Sequence, residues 1–337
     1  MINEVKMKRA FYMGLKYIVL VLLAYQLLYP VLYMISASIK DPLDSYDPSV
    51  IWIPKNFSAT GFIDAFKSMK YLDALKGSLQ ISLGCAVLDV MSCALAGYGF
   101  ARFKFPFKNF LFACVIVTLM VPMQTIILPY YMNMRYFDPL GLISAFNSVF
   151  DKTVTINLVG KNIAFYLPSL FGAGIRSGLY IYIFRQFFEG MDKALEESAH
   201  IPWHVFLMKG FFADIPTSLI EAAKLDGASE ARVFLSIGVP LGIPAMITSF
   251  LFSFVWHFND YYLTKQLLGT NRRTLIVALS SLRIDLAALI GGQTTTDPIR
   301  IQTRIQAGCL LAIVPMFLLY MFAQRKLADS IEHIGIK

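Results

Sequence analysis

Two ionisable side chains, Asp89 and Arg176, fall inside long apolar runs. A charge at bilayer depth is costly and as a rule faces a pathway or a partner. The two residues either line a route or pair across helices, or each sits nearer a membrane face than the limits of its run suggest. Further on, Trp256, His257, Asn259 and Asp260 cluster at the end of another apolar run. An aromatic ring with hydrogen-bonding neighbours can stack on a sugar-like solute, and Trp is equally common at bilayer interfaces. Asp89, Arg176, Trp256 and Asn259 are the candidate residues of a translocation path.

Covalent, metal and nucleotide chemistry find no support. Gly160-Lys161 lacks the upstream glycine of a phosphate loop. His200, His204, His257 and His333 are scattered without ligand spacing, and neither Gly-x-Ser-x-Gly nor His-Glu-x-x-His occurs. Cys85, Cys93, Cys114 and Cys309 all lie in apolar runs without a Cys-x-x-Cys pair and read as small buried hydrophobes. The chain is expected to have no catalytic residue, no metal site and no cofactor.

These residues must be held by membrane helices. Of 337 residues, 57% are hydrophobic and 15% charged, and the mean hydropathy is +0.59. That is too apolar for a soluble globule of this size. The net charge of +8 would suit nucleic acid in a soluble protein. Here the Lys and Arg sit in loops beside apolar runs, so the bilayer is the expected partner and nucleic acid is not. A spanning helix needs about 20 apolar residues. Six runs qualify: about 16–38, 78–101, 110–132, 163–186, 233–257 and 305–323. The fold class is therefore all-α: a polytopic membrane protein with about six transmembrane helices. Pro122, Pro129, Pro168, Pro244 and Pro315 fall in or near these runs and mark kinks that neighbouring helices can tolerate. Gly172, Gly174 and Gly178 would let another helix approach closely.

Lys6, Lys8, Arg9 and Lys16 precede the first run, which is too long for a cleaved leader. Together with the basic loop Arg102–Lys108, they predict a cytoplasmic N-terminus and, with six spans, a cytoplasmic C-terminus. Residues 1–15 form the cytoplasmic N-terminus, 16–325 the transmembrane domain and 326–337 a cytoplasmic tail.

Residues 187–232 contain a tandem repeat with an offset of 24. Arg185-Gln-Phe187-Phe188 to Leu195-Glu-Glu197-Ser-Ala199 lines up with Lys209-Gly-Phe211-Phe212 to Leu219-Ile-Glu221-Ala222-Ala223. The second copy reads as a short coupling helix on the cytoplasmic side. Pro216 suits its first turn. Leu219, Ile220, Ala222, Ala223 and Leu225 form an apolar face for a partner cleft, and Glu221 can meet a donor there. Gly227, after Asp226, can take the left-handed conformation that ends the helix.

At these residues the chain resembles the inner-membrane permease subunits of ATP-binding-cassette importers, in particular their carbohydrate branch. Glu221-Ala222-Ala223, Gly227 and Ile237-Gly-Val-Pro240 match the family signature. Ala96-Gly-Tyr98-Gly-Phe-Ala101-Arg102, Val121-Pro122-Met-Gln124, Ile313-Val-Pro315 and Gln324-Arg325 extend the likeness along the chain. The resemblance implies a permease that docks on ATPase subunits through Glu221, Ala222, Ala223, Asp226, Gly227 and Pro240. It also implies a second, different permease, two ATPases, an extracytoplasmic solute-binding protein, and a place in the plasma or inner membrane. Only the second copy of the repeat has the Gly and the Val-Pro, so coupling is assigned to it. A gradient-driven transporter or channel is the rival reading. It would need embedded charge relays, for which Asp89 and Arg176 are thin material, and it has no use for the Glu-Ala-Ala loop.

Overall fold

A computed structural model describes residues 2–41, 43–189, 234–235, 239, 242–269, 274–290 and 298–335. The coupling residues Glu221, Ala222, Ala223, Asp226, Gly227 and Pro240, and the repeat beyond Glu189, lie outside the described residues. The described chain is helical, with only two isolated bridges, Lys40–Phe57 and Phe137–Ile156. Its helices are α1 (Ile2–Ser38), α2 (Thr60–Ser68), α3 (Tyr71–Arg102), α4 (Lys108–Met120), α5 (Met123–Arg135) and α6 (Leu142–Phe150). They continue as α7 (Ile163–Leu170), α8 (Ser177–Glu189), α9 (Ile243–Asn259), α10 (Tyr262–Leu268), α11 (Leu275–Ile290) and α12 (Pro298–Gly335). Among the described residues, three helical stretches are long and apolar enough to cross a membrane: Phe11–Ser38, Tyr71–Arg102 and Pro298–Gln324. The bent pair α4–α5 adds a fourth if it counts as one span. The protein is an all-α polytopic membrane protein.

Two of the expected spans are not straight rods. Within 110–132 the chain turns by 108° between α4 and α5. Val121 is extended (φ −76°, ψ 122°) and so is Pro122 (φ −61°, ψ 134°). A proline ring disfavours helix in the residue before it, and it removes one helical donor. Pro129, by contrast, stays inside α5. Within 163–186 the helix stops at Leu170 and resumes at Ser177. Gly172 closes α7 with a left-handed φ of +63°, and the amide of Ala173 donates to the Pro168 carbonyl at 2.8 Å.

The chain divides into two compact units, Met1–Tyr71 with Ala278–Pro315, and Leu72–Val277 with Met316–Lys337. In the first unit, the loop between α1 and α2 is tied by polar contacts. The Lys40 ammonium donates to the carbonyls of Val50 (2.9 Å) and Ile51 (2.8 Å). The Asp44 carboxylate accepts from the amide (2.6 Å) and side chain (2.9 Å) of Asn56. Asp64 of α2 pairs with Arg304 of α12 at 2.7 Å. None of the most apolar stretch of α1 is buried, as befits a surface whose solvent is lipid.

In the second unit, small residues let helices meet backbone to backbone. A Cβ added to Gly97 of α3 would lie 2.8 Å from the Arg185 amide nitrogen on α8. One added to Gly178 of α8 would lie 3.0 Å from the Val115 carbonyl on α4. Cys93, Tyr98, Tyr180, Phe184, Phe187, Phe188 and Phe234 form an apolar cluster in this unit. Thus the first copy's Phe187-Phe188 pair is core, with Phe188 set edge-on to Tyr98 at 5.2 Å. The guanidinium of Arg185 lies over the Phe112 ring at 3.8 Å. Between α5 and α7 an excursion that contains the apolar helix α6 is stapled by Asp138. Its Oδ1 accepts the Ile143 amide at 2.8 Å, and its Oδ2 accepts the amide and hydroxyl of Ser144.

Candidate functional site

Asp89 sits midway along α3 and is 2% exposed. Such a carboxylate must be hydrogen-bonded to remain charged among helices. Its Oδ2 accepts the Ser253 hydroxyl at 2.7 Å and lies 3.2 Å from Nε2 of His257. Ser253 and His257 both come from α9, four residues apart. They therefore project from one face, one turn above the other. Gly242 and Pro244 open this helix, and the apolar residues between carry it past α3 and α8.

On the same helix, Trp256 turns its ring toward Arg176, the residue that precedes α8. The guanidinium carbon lies 4.0 Å from the ring centroid, close enough for a cation–π contact. Tyr180, one turn into α8, is tilted against Trp256 at 6.1 Å. Asp89, Arg176, Tyr180, Trp256, His257 and Asp260 line one cavity of about 40 Å³. Asp260 follows the end of α9, where its carboxylate accepts the Leu263 amide at 3.3 Å. Burial pushes the Asp260 carboxyl above its ordinary range, against the pull of that amide and of His257 and Arg176.

The structure thus brings three of the four sequence-derived candidates, Asp89, Arg176 and Trp256, to one cavity. Asn259 does not line it. Its side-chain amide donates to the Val255 carbonyl at 3.0 Å on an exposed face. The sequence reading missed Ser253, and it missed that His257 meets Asp89. The available signal was a polar stripe at Ser253, His257 and Asp260, spaced four and three along an otherwise apolar helix.

What the arrangement can do is bind, orient and desolvate. It presents a carboxylate, a guanidinium on an indole face, an imidazole and hydroxyls, with no nucleophile–base pair. Among the described residues no group of three His, Cys, Asp or Glu could hold a metal.

A model of the family described as "Binding-protein-dependent transport system inner membrane component" matches residues 93–333, well over half of the chain. The maltodextrin transport system permease protein MdxG of Bacillus subtilis is 26% identical over 327 residues, covering 95% of each chain. The galactooligosaccharides transport system permease protein GanQ of the same organism is 24% identical over 341 residues, covering all of both. The maltodextrin permease protein MalD of Streptococcus pneumoniae is 25% identical over 338 residues and 99% of each. A chain from the crystal structure of a bacterial ABC transporter that imports the acidic polysaccharide alginate shares the fold. It has a TM-score of 0.68 at 17% identity, over 94% of this chain and 96% of that one. The chain belongs to the family of inner membrane components of binding-protein-dependent transport systems.

Proposed function

We propose that this chain is one of two different permease subunits of an ATP-driven importer for a sugar or oligosaccharide. The observation that carries the substrate class is the end-to-end match to permeases named for maltodextrin and galactooligosaccharide transport. As a family member the chain works with an ATPase and a solute-binding protein, and it is itself no enzyme. Two copies of the ATPase and a heterodimer with a sister permease complete the proposed assembly. The basic segments at residues 6–16 and 102–108 favour cytoplasmic termini. Closure of the ATPases would push on residues 216–229 through Glu221, Ala222, Ala223, Asp226 and Gly227, with Pro240 fixing the return into the membrane. That push would rock the helices between two packings and open the path to alternate sides.

Asp89, Arg176 and Trp256 are the proposed lining of the path. A carboxylate and a guanidinium can exchange hydrogen bonds with sugar hydroxyls, and the indole offers a flat apolar face. Asn259 keeps at most a place at the outer mouth. The gradient-driven reading loses to family membership, since the match is to inner membrane components of binding-protein-dependent transport systems.

The test is uptake of labelled maltodextrin into proteoliposomes that contain the permease pair and ATPases, with binding protein and ATP supplied. Uptake that needs both ATP and binding protein supports the proposal. ATP-dependent uptake of some other solute class, with none of maltodextrin or other oligosaccharides, overturns the sugar assignment.

A further inference from the structure

The turn between α3 and α4 sets cations and phenyl rings in alternation: Arg102-Phe103-Lys104-Phe105-Pro106-Phe107-Lys108. The helix before it, α3, is long and apolar enough to cross a membrane, so the residues that follow lie at a bilayer face. Two of the rings are moored to α3. Phe103 is edge-on to Tyr98 at 5.9 Å, and Phe105 is tilted against Phe100 at 5.8 Å. Phe107, by contrast, takes a left-handed φ of +62°, which bulky side chains rarely adopt, and it is 78% exposed. Phe110, at the start of α4, is exposed as well. Lys104, Phe105, Phe107, Lys108, Asn109 and Phe110 line an open hollow of about 340 Å³.

We propose that this hollow holds the phosphate of an acidic phospholipid between Lys104 and Lys108, with Phe107 and Phe110 set among the adjoining acyl chains. Three observations carry it. The first is charge. The sequence has no Asp or Glu between Asp89 and Asp138. Among the described residues, no carboxylate pairs with Arg102, Lys104 or Lys108. Lys104 is exposed, and Lys108 uses one donor, on the Ala101 carbonyl at 3.4 Å. An ammonium has three donors, so both lysines can give charge-assisted hydrogen bonds to phosphate oxygens. The second is the company these cations keep. A lysine stem can lie along hydrocarbon while its head stays at the surface, and the rings of Phe107 and Phe110 are the apolar material beside it. The third is continuity. Phe110 begins a helix on which Leu111, Val117 and Met120 are also exposed, a surface whose solvent is lipid. A soluble anion would engage the lysines and leave the rings in water, so the occupant that satisfies both is a lipid.

The site needs neither sugar nor ATP, so it and the importer proposal can fail separately. The probe is phosphatidylglycerol, added to the whole importer in detergent, with phosphatidylcholine as reference and bound lipid counted by native mass spectrometry. One phosphatidylglycerol per copy of this chain is expected beyond the phosphatidylcholine count. Lys104→Gln with Lys108→Gln should weaken that lipid by about thirtyfold, as expected for two lysines at a membrane surface. Phe107→Ala should weaken both lipids. Lys152→Gln removes an exposed cation outside the hollow and should leave the counts unchanged. Thermal midpoints verify that each variant is folded. Equal retention of the two lipids by the unmodified complex, or phosphatidylglycerol binding that the double variant leaves intact, overturns the site. So does displacement of the lipid by inorganic phosphate, which would make the occupant a free anion. Loss of the ATPase from the double variant, in place of lipid, would make the occupant a partner protein and overturn the site equally.

Discussion

Nε2 of His257 lies 3.2 Å from Oδ2 of Asp89 across 168 positions of sequence. This contact, with the Ser253 hydrogen bond beside it, ties α9 to α3 deep among apolar helices. Ser253 donates its hydroxyl to Oδ2, and Nε2 of His257 stands within hydrogen-bond reach of the same oxygen. Removing one leaves a buried carboxylate oxygen short of a partner. Ser253→Ala should therefore cost about 1.5–3 kcal/mol, read as a lowered thermal midpoint in detergent. His257→Phe should cost a similar amount or more. A midpoint unchanged by both substitutions would mean that the carboxylate finds other donors.

Gly97 lets α3 approach α8 backbone to backbone. Alanine generally favours a helix over glycine by about 1 kcal/mol. At position 97, however, the added Cβ would fall 2.4 Å from the Phe184 Cβ and 2.9 Å from its carbonyl carbon. Backbone there cannot yield without separating the helices, so Gly97→Ala should destabilise by about 1–3 kcal/mol. Gly14→Ala, with open space around it, should be neutral or slightly stabilising. The two thermal midpoints, measured side by side, decide the matter.

The 108° turn between α4 and α5 rests on Pro122 and on its effect upon Val121. Pro122→Ala restores a donor and frees residue 121 to become helical. Spin labels at Val117 and Leu128, both exposed, should then move apart, toward the roughly 16 Å of an eleven-residue rise along a straight helix. An unchanged distance distribution would assign the bend to packing rather than to the proline.

The Asp138 staple predicts a pH response in the excursion between α5 and α7. Its carboxyl is lowered from 3.8, first by the Ser144 hydroxyl and then by the amides of Ile143 and Ser144, against desolvation. A depressed folded value means that the staple is fully present above about pH 4 and is lost as pH falls through the folded value. The protection of the Ile143 and Ser144 amides, relative to the intrinsic exchange rate at each pH, should fall on acidification. In Asp138→Asn that protection should already be lower at neutral pH and lack the acid step.

Much of this architecture is legible in the residues alone, and the rest is hidden for physical reasons. The runs around Leu20, Val87 and Leu311 read as spans because apolar length is a local property. Pro122 was legible as a kink and Gly172 only as a place where helices approach closely, and a membrane helix tolerates some prolines, as α5 does Pro129. Only tertiary packing decides which of them turns the chain. Asp89 and Arg176 stood out as charges within apolar runs. Their partners did not, because Ser253 reaches Asp89 over 164 positions, and no periodicity within one helix announces a contact with another. Asn259 misled by adjacency: next to Trp256 in sequence, it points to the exposed face three residues on.

The central claim is that a sugar importer's ATPase drives this chain through residues 216–229. The direct measurement is co-purification with the ATPase and sister permease, and solute-stimulated ATP hydrolysis. It should compare the unmodified chain with Glu221→Lys, Gly227→Trp and Glu197→Lys. The account predicts that Glu221→Lys and Gly227→Trp lose ATPase association or its stimulation, while Glu197→Lys in the first copy retains both. Loss with Glu197→Lys alone would move the coupling to the first copy, and an unmodified chain that binds no ATPase would contradict the account altogether.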